Sequence, residues 1–409
     1  MENTKDWIML NTIVDPKSLP QLEIDPFDEK VLADPFPFYE HLRELGPIFW
    51  VAAYGHYGTA RWAPIHHILN TWQDYTATHG VGLSDITQPG NWRDKGALVE
   101  EDPPTHTGIR MPMQKIMSAQ RIMGWRDALT AQASNLLDEV LGTGDLNAVP
   151  TIAETFVMGA LPAILGVDAN RKALLAIGDH NFNSIGPKNA IFDASAARVE
   201  EVALWYQEAA AEGAMEKGGL GEEFFLAEKE GIFAPGLAYK IVRMLLRGGF
   251  DTTISGIGST LYYFAHHPDQ YDRVRENPKL IGRAFEEALR LQSPAQNLFR
   301  TVNEGVELEG IGLEPGTKIQ YWLAAGNRDP RKWDNPDAFD IDRAVSASLA
   351  FGGGVHKCIG MMVAKIEAEA LFTPFVERVK RVELTGEPHF RLSNSLRTLD
   401  ALPVRFILE

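Results

Sequence analysis

From residue 118 to about 292, apolar positions recur every three or four residues, the spacing of helices that bury one face. SAQRIMGWRDALTAQASNLLDEVL keeps this period up to Gly142 and is expected to form one helix; ARVEEVALWYQEAAAEGAMEK is expected to form another. The longest run covers 237–266, bounded by Pro235-Gly236 and Pro268, and its second half is almost free of charge. Such a helix is predicted to pass through the middle of the protein. Upstream, about 1–34 is proline-spotted and reads as an extended arm. PFYEHLREL reads as a short amphipathic helix, IFWVAAY and TARW as β-prone runs around a glycine turn, and 80–104 as loop. Strand character returns in RTVNEGVELEGIGLEPGTKIQYWLA. FGGGVHKCIG is then a loop leading into GMMVAKIEAEALFTPFVERV, which has helical period, and the last thirty residues alternate apolar and polar. No repeat, low-complexity tract or flexible linker interrupts the pattern. The prediction is a mainly α protein with small β-sheets, 1–409 forming one domain.

Composition narrows the setting. An apolar fraction of 45 % supports a sizeable core, and a net charge of −16 disfavours nucleic acid as a general partner. No run approaches the ~18 apolar residues of a membrane span. A single cysteine forms no internal disulfide, and the N-terminus lacks the basic-then-apolar order of a signal peptide. A soluble, cytoplasmic protein is expected.

That cysteine, Cys358, lies in FGGGVHKCIG. An isolated cysteine is usually a small buried hydrophobe. Here Gly352, Gly353 and Gly354 permit close approaches, and Gly360 opens a predicted helix whose free N–H groups stabilise a thiolate. The Walker lysine–hydroxyl pair of a phosphate cradle is absent. The string Phe351, Gly354, His356, Cys358, Gly360 resembles the haem-binding loop of cytochrome P450 monooxygenases. The resemblance implies haem b, with Cys358 as its axial thiolate and metal ligand. It also places Phe351 against the sulfur, His356 at a haem propionate and Gly360 at the head of the following helix.

Further segments resemble the same family, in order. Glu287 and Arg290, with Arg343, match a buried ion-pair network behind the cysteine. Gly248-Gly249-Phe250-Asp251-Thr252-Thr253 resembles the oxygen-binding kink of the long helix, which makes Asp251 and Thr252 the expected catalytic pair delivering protons to bound dioxygen. Two glycines inside a helix cost about 1 kcal/mol each relative to alanine, so a kink has a local reason as well. DPPTHTGIR places His106 and Arg110 four apart on one face; with Arg300 and His356 the resemblance makes them the propionate donors. The likeness extends from the arm to the C-terminal strands and implies the P450 fold, with the long helix over the haem.

The substrate is less directly written. At about 100° per residue, Gly248 lies about 40° and Met244 within about 80° of Thr252 around the helix. Arg247 either faces the pocket or reaches outward to an acid. GVGLSD, the Trp-Arg pair in NWRDKGALVEEDPP, SPAQNLFRT and NSLRTLDALPV resemble bacterial P450s that oxidise para-substituted benzoates. This implies a carboxylate held by Arg93 and Arg247, a ring walled by Phe182, Ala295 and Leu298, and O-demethylation of a 4-methoxybenzoate. Gly96 and Met244 depart from that group's serines. A neutral methoxyphenol or other small hydrophobic substrate is the alternative, and a haem protein that senses without turnover is the rival of another class. No flavin or NAD fingerprint is present, so an iron–sulfur ferredoxin and its reductase are the expected electron donors, with Lys357 helping to dock an acidic partner.

Overall fold

The computed structural model describes residues 13–409; the first twelve residues of the expected arm lie outside them. The rest of the arm is partly ordered into elements. Gln21–Leu22 pairs in parallel with Phe49–Val51, and the helix Glu29–Ala33 is capped by the Asp28 side chain, which accepts from the Lys30 amide. Pro35 opens the helix Pro35–Leu45 at a position where a missing N–H costs nothing, and Phe38, Tyr39 and Leu42 form its buried face.

Helices dominate the middle of the chain, with more breaks than the periodicity predicts. The expected helix ending near Gly142 is divided at Trp125 into Ala119–Gly124 and Arg126–Val140, next to the poor helix former Gly124. The second expected helix becomes Ala190–Glu200 and Ala203–Ala209, because Val202 leaves helical geometry to bury its side chain. The long run is also two pieces, Leu237–Gly248 and Phe250–His266. Its second piece is buried along nearly its whole length, as its low charge predicts, and packs on the helix Ile281–Gln292. Ile254, Ile257, Leu261 and Phe264 belong to the main apolar core.

The strands lie in small sheets. The largest has the order Gln21–Leu22, Phe49–Val51, His56–Thr59, Lys318–Tyr321, Leu298–Val302, Tyr75–Thr76. Within it, Leu298–Val302 runs antiparallel to Lys318–Tyr321 and sets Arg300 opposite Ile319. Val379–Leu384, Pro403–Leu408 and Asp145–Asn147 form a second, antiparallel sheet. Among the described residues no helix is long and apolar enough to cross a membrane.

Candidate active site

The break in the central helix faces the cysteine loop across a cavity of about 1350 Å³, counted to its open mouth. Gly248, Gly249 and Thr252 stand on one side, and Phe351, Cys358 and Gly360 on the other. Val81, Val99, Leu245, Ala295 and Leu298 complete an apolar wall.

The cysteine loop is shaped by contact with the helix Trp62–Asn70. Gly354 has φ +58°, and a Cβ there would stand 2.1 Å from the Leu69 carbonyl oxygen. The glycine run was expected to permit close approaches. Gly352 and Gly353 do line the cavity, but Gly354 is required by the protein's own backbone. The Cys358 amide donates to the Phe351 carbonyl at 2.9 Å, closing the loop. Gly360 immediately precedes the helix Met361–Arg378. Burial pushes the Cys358 thiol up; the Gly360 amide, Arg110 and the Met361 amide act in the opposite direction, favouring thiolate.

Behind the loop, Arg290 donates from Nε and Nη2 to both Glu287 oxygens, at 2.7 and 2.8 Å, and neither residue is exposed. Arg343 Nε reaches the same carboxylate at 2.9 Å. The remaining Arg290 nitrogen donates to the carbonyls of Asn327 and Pro336. Asn327 in turn accepts the Leu349 amide, so the network runs from the helix to the segment entering the cysteine loop. A buried fork with every donor used is a brace, as expected of these three residues.

At one edge of the cavity two arginines and two histidines gather around a single acid, Asp102. Arg300 is 4 % exposed; its Nη1 donates to the Phe299 carbonyl, and its guanidinium lies 5.8 Å from the Tyr321 ring. His106 is 1 % exposed, and neither ring nitrogen has a partner. Burial, with His356 and Arg110 nearby, lowers its pKa to about 4. His356 packs on His106 at 4.5 Å between ring centroids and lies 3.4 Å from Asp102. Arg110 bonds the Lys357 carbonyl at 2.6 Å. The unpartnered His106 ring, with Arg300 and His356 lining the cavity beside it, fits a ligand edge bearing carboxylates, such as the propionates of a haem.

On the opposite side, the Thr252 and Thr253 hydroxyls donate to the carbonyls of Gly248 and Gly249, both at 3.1 Å. Such back-bonds bend a helix. Thr252 lines the cavity, whereas Asp251 does not. Asp251 points to the other side of its helix, 3.9 Å from Arg391, which also pairs with Asp179 at 3.3 Å. Desolvation pushes the Asp251 carboxyl up to about 7, against Arg391 and together with Asp179 and Glu154. Of the expected pair, Thr252 alone faces the cavity, and Asp251 lies behind it on the Arg391 side of the helix.

Residues 237–389 match the family model described as cytochrome P450. The chain is 36 % identical, over 95 % of its length and 94 % of the relative's, to a Rhodopseudomonas palustris protein named cytochrome p450 CYP199A2. The chain belongs to the cytochrome P450 family. It is also 27 % identical, over 93 % of its length, to the β-dihydromenaquinone-9 ω-hydroxylase of Mycobacterium tuberculosis. The fold matches cytochrome P450 CREJ, solved with (4-ethylphenyl) dihydrogen phosphate, at a TM-score of 0.82, with 23 % identity and 94 % of this chain covered. CYP267B1, solved with myristic acid, matches at a TM-score of 0.80 with 26 % identity over 93 % of this chain.

This P450 is thus a monooxygenase, and its cofactor is haem b with an axial cysteine thiolate, for which Cys358 is the only cysteine in the chain. Of the residues expected at the substrate, the structure brings Gly248, Ala295 and Leu298 to the cavity. Phe182 packs instead with Phe27, Ile185, Phe299 and Leu396. Met244 and Arg247 line a separate outer pocket of about 340 Å³ with Asp94, Lys95 and Gly96. Arg93 is 7 % exposed and points into the protein, donating to the Asn181 carbonyl at 2.8 Å and to Ser184 Oγ at 2.6 Å. Desolvation and the neighbouring Arg247 charge lower its pKa to about 10. Lys95 is engaged with Glu101 at 2.6 Å. Leu245 and Gly249, absent from the sequence-based set, line the cavity in their place. Seven residues before Thr252 return to within about 20° around a helix, and this was the signal for Leu245.

Proposed function

We propose that this P450 oxidises a small, uncharged aromatic substrate, with O-demethylation of a methoxyarene as the reaction its cavity suits best. One observation carries this reading. The wall around Thr252 is built from Val81, Val99, Leu245, Gly248, Ala295 and Leu298, and the only cationic groups in the lining, Arg300 and His356, belong to the propionate edge. A carboxylate seated against that wall would lose its water with no donor in return.

A haem held by Cys358, with Arg300 and His356 at its carboxylates, would supply dioxygen activation and oxidation of the methyl C–H bond. The chain's residues do the rest. The apolar wall holds the ring and excludes water, Thr252 presents a hydroxyl for proton transfer, and Asp251 supplies a carboxyl that exchanges protons near neutral pH. Methoxyarene, dioxygen, two electrons and two protons give a phenol, formaldehyde and water, because the hydroxylated methyl ether is a hemiacetal and collapses. Electrons from an iron–sulfur ferredoxin and its reductase would enter on the cysteine side, where Lys357 and Arg283 line a recess and offer charge to an acidic partner. A cytoplasmic setting fits a chain whose single cysteine is committed to iron.

A para-substituted benzoate is the second reading, favoured by the proximity of two cations, Arg93 and Arg247, outside the cavity wall. A substrate-induced spin-state titration separates the two. Guaiacol and methyl 4-methoxybenzoate are expected to shift the spectrum at lower concentration than 4-methoxybenzoate. Tighter binding of the acid than of its ester would overturn the uncharged reading.

A further inference from the structure

The outer wall holds a carboxylate beside Arg93 and close to Arg247. Glu100 is 1 % exposed. Its Oε2 accepts the Gly96 amide at 3.0 Å, and its Oε1 lies 3.9 Å from Arg93 Nη2. The space it fills is the one a side chain at position 96 would occupy. A Cβ on Gly96 would stand 2.5 Å from Glu100 Oε2 and 3.4 Å from Arg247 Nη2. One glycine thus leaves room for the Glu100 carboxylate and the Arg247 guanidinium around a single point.

Arg93 is the cation this buried carboxylate pairs with, and Arg247 stands beside the same Gly96. Arg93 is buried, with its Nε unpartnered, and Arg247 stands near enough to repel it. Neither arginine lines the cavity, so an acid whose carboxylate reaches past the apolar wall competes with Glu100 for these donors.

We infer that Glu100 is a built-in carboxylate that neutralises Arg93 and Arg247, and so sets the preference of this P450 for uncharged over acidic aromatic substrates. Gly96 is its permissive partner. This rests on the uncharged reading proposed above, with Glu100 as a positioning residue that acts through the arginines. Specificity then comes from occupying the attractive site in advance as well as from the apolar wall.

The test is the ratio of dissociation constants for 4-methoxybenzoate and its methyl ester, from spin-state titrations of the haem-loaded protein. In Glu100→Gln, the two arginines lose their internal anion, and the ratio is expected to shift toward the acid by about tenfold or more, a change of about 1.4 kcal/mol. The ester's own affinity is expected to stay within about threefold, which a general structural defect would not spare. Gly96→Ala displaces the Glu100 carboxylate without altering its charge, and is expected to shift the ratio the same way by a smaller factor. It also serves if Glu100→Gln fails to take up haem. A ratio unchanged from the wild type in these variants would overturn the inference. A wild-type protein that prefers the acid would overturn the uncharged reading, and a shift in the variants would still be scored independently.

Discussion

Gly354 and Leu69 are pressed together so closely that a single added methyl on Gly354 would stand 2.1 Å from the Leu69 carbonyl oxygen. The contact fixes the cysteine loop to the helix Trp62–Asn70, and with it the direction in which Cys358 faces the cavity.

Gly354→Ala must therefore both strain a positive-φ position and push the loop off Leu69. A loss of about 2 kcal/mol or more in stability is expected, along with a lower haem-to-protein ratio in the purified protein. Absorbance at the Soret band against total protein, with the thermal unfolding midpoint, checks both.

Arg290→Lys keeps the charge but not the fork. Lysine cannot reproduce two parallel bonds to Glu287 and contacts to the Asn327 and Pro336 carbonyls. Breaking a buried pair of this kind costs about 3–5 kcal/mol. Expression without haem incorporation is the expected outcome, and normal haem content in Arg290→Lys would show that the brace is dispensable.

Thr252→Ala removes the hydroxyl that faces the cavity while leaving its apolar wall intact. Product formed per electron pair is expected to fall about tenfold or more, with substrate affinity changed by less than about threefold. Thr252→Ser should retain coupling. Product yield against reductant consumed measures this directly.

Glu367 also lines the cavity, beside Val363 and Ala364. It is 1 % exposed, its Oε1 is unpartnered, and desolvation pushes its carboxyl up to about 8. Between the ordinary carboxyl value of about 4.3 and that folded value, the folded chain holds a proton that the unfolded chain has released. Stability therefore falls as pH rises through this window, by at most about 1.4 kcal/mol per pH unit. Glu367→Gln removes the dependence. The variant's unfolding midpoint should gain on the wild type between pH 5 and pH 8, and a constant difference would contradict the assignment.

The parts most legible in the sequence were those set by short-range chemistry. The cysteine loop, the Glu287–Arg290 pair and the glycine–threonine kink each have their groups within a few residues, so the family likeness could be read from short strings. Arg343 is more distant, but it meets Glu287 as the family likeness implied. The outer wall was less legible because its side-chain directions depend on long-range partners. Arg93 is turned inward by Asn181 and Ser184, some ninety positions away. Phe182 is drawn into a cluster with Phe27 and Phe299. Gly96 looked like a missing serine, and only the fold shows Glu100 in the space it leaves.

The most direct measurement is the reduced-CO difference spectrum of the haem-loaded protein and of Cys358→Ser. The prediction is a Soret band near ~450 nm, the mark of thiolate ligation, in the wild type and its loss in the variant. A wild-type protein that binds haem without this band, or a variant that keeps it, would contradict Cys358 as the axial ligand of a haem-thiolate monooxygenase.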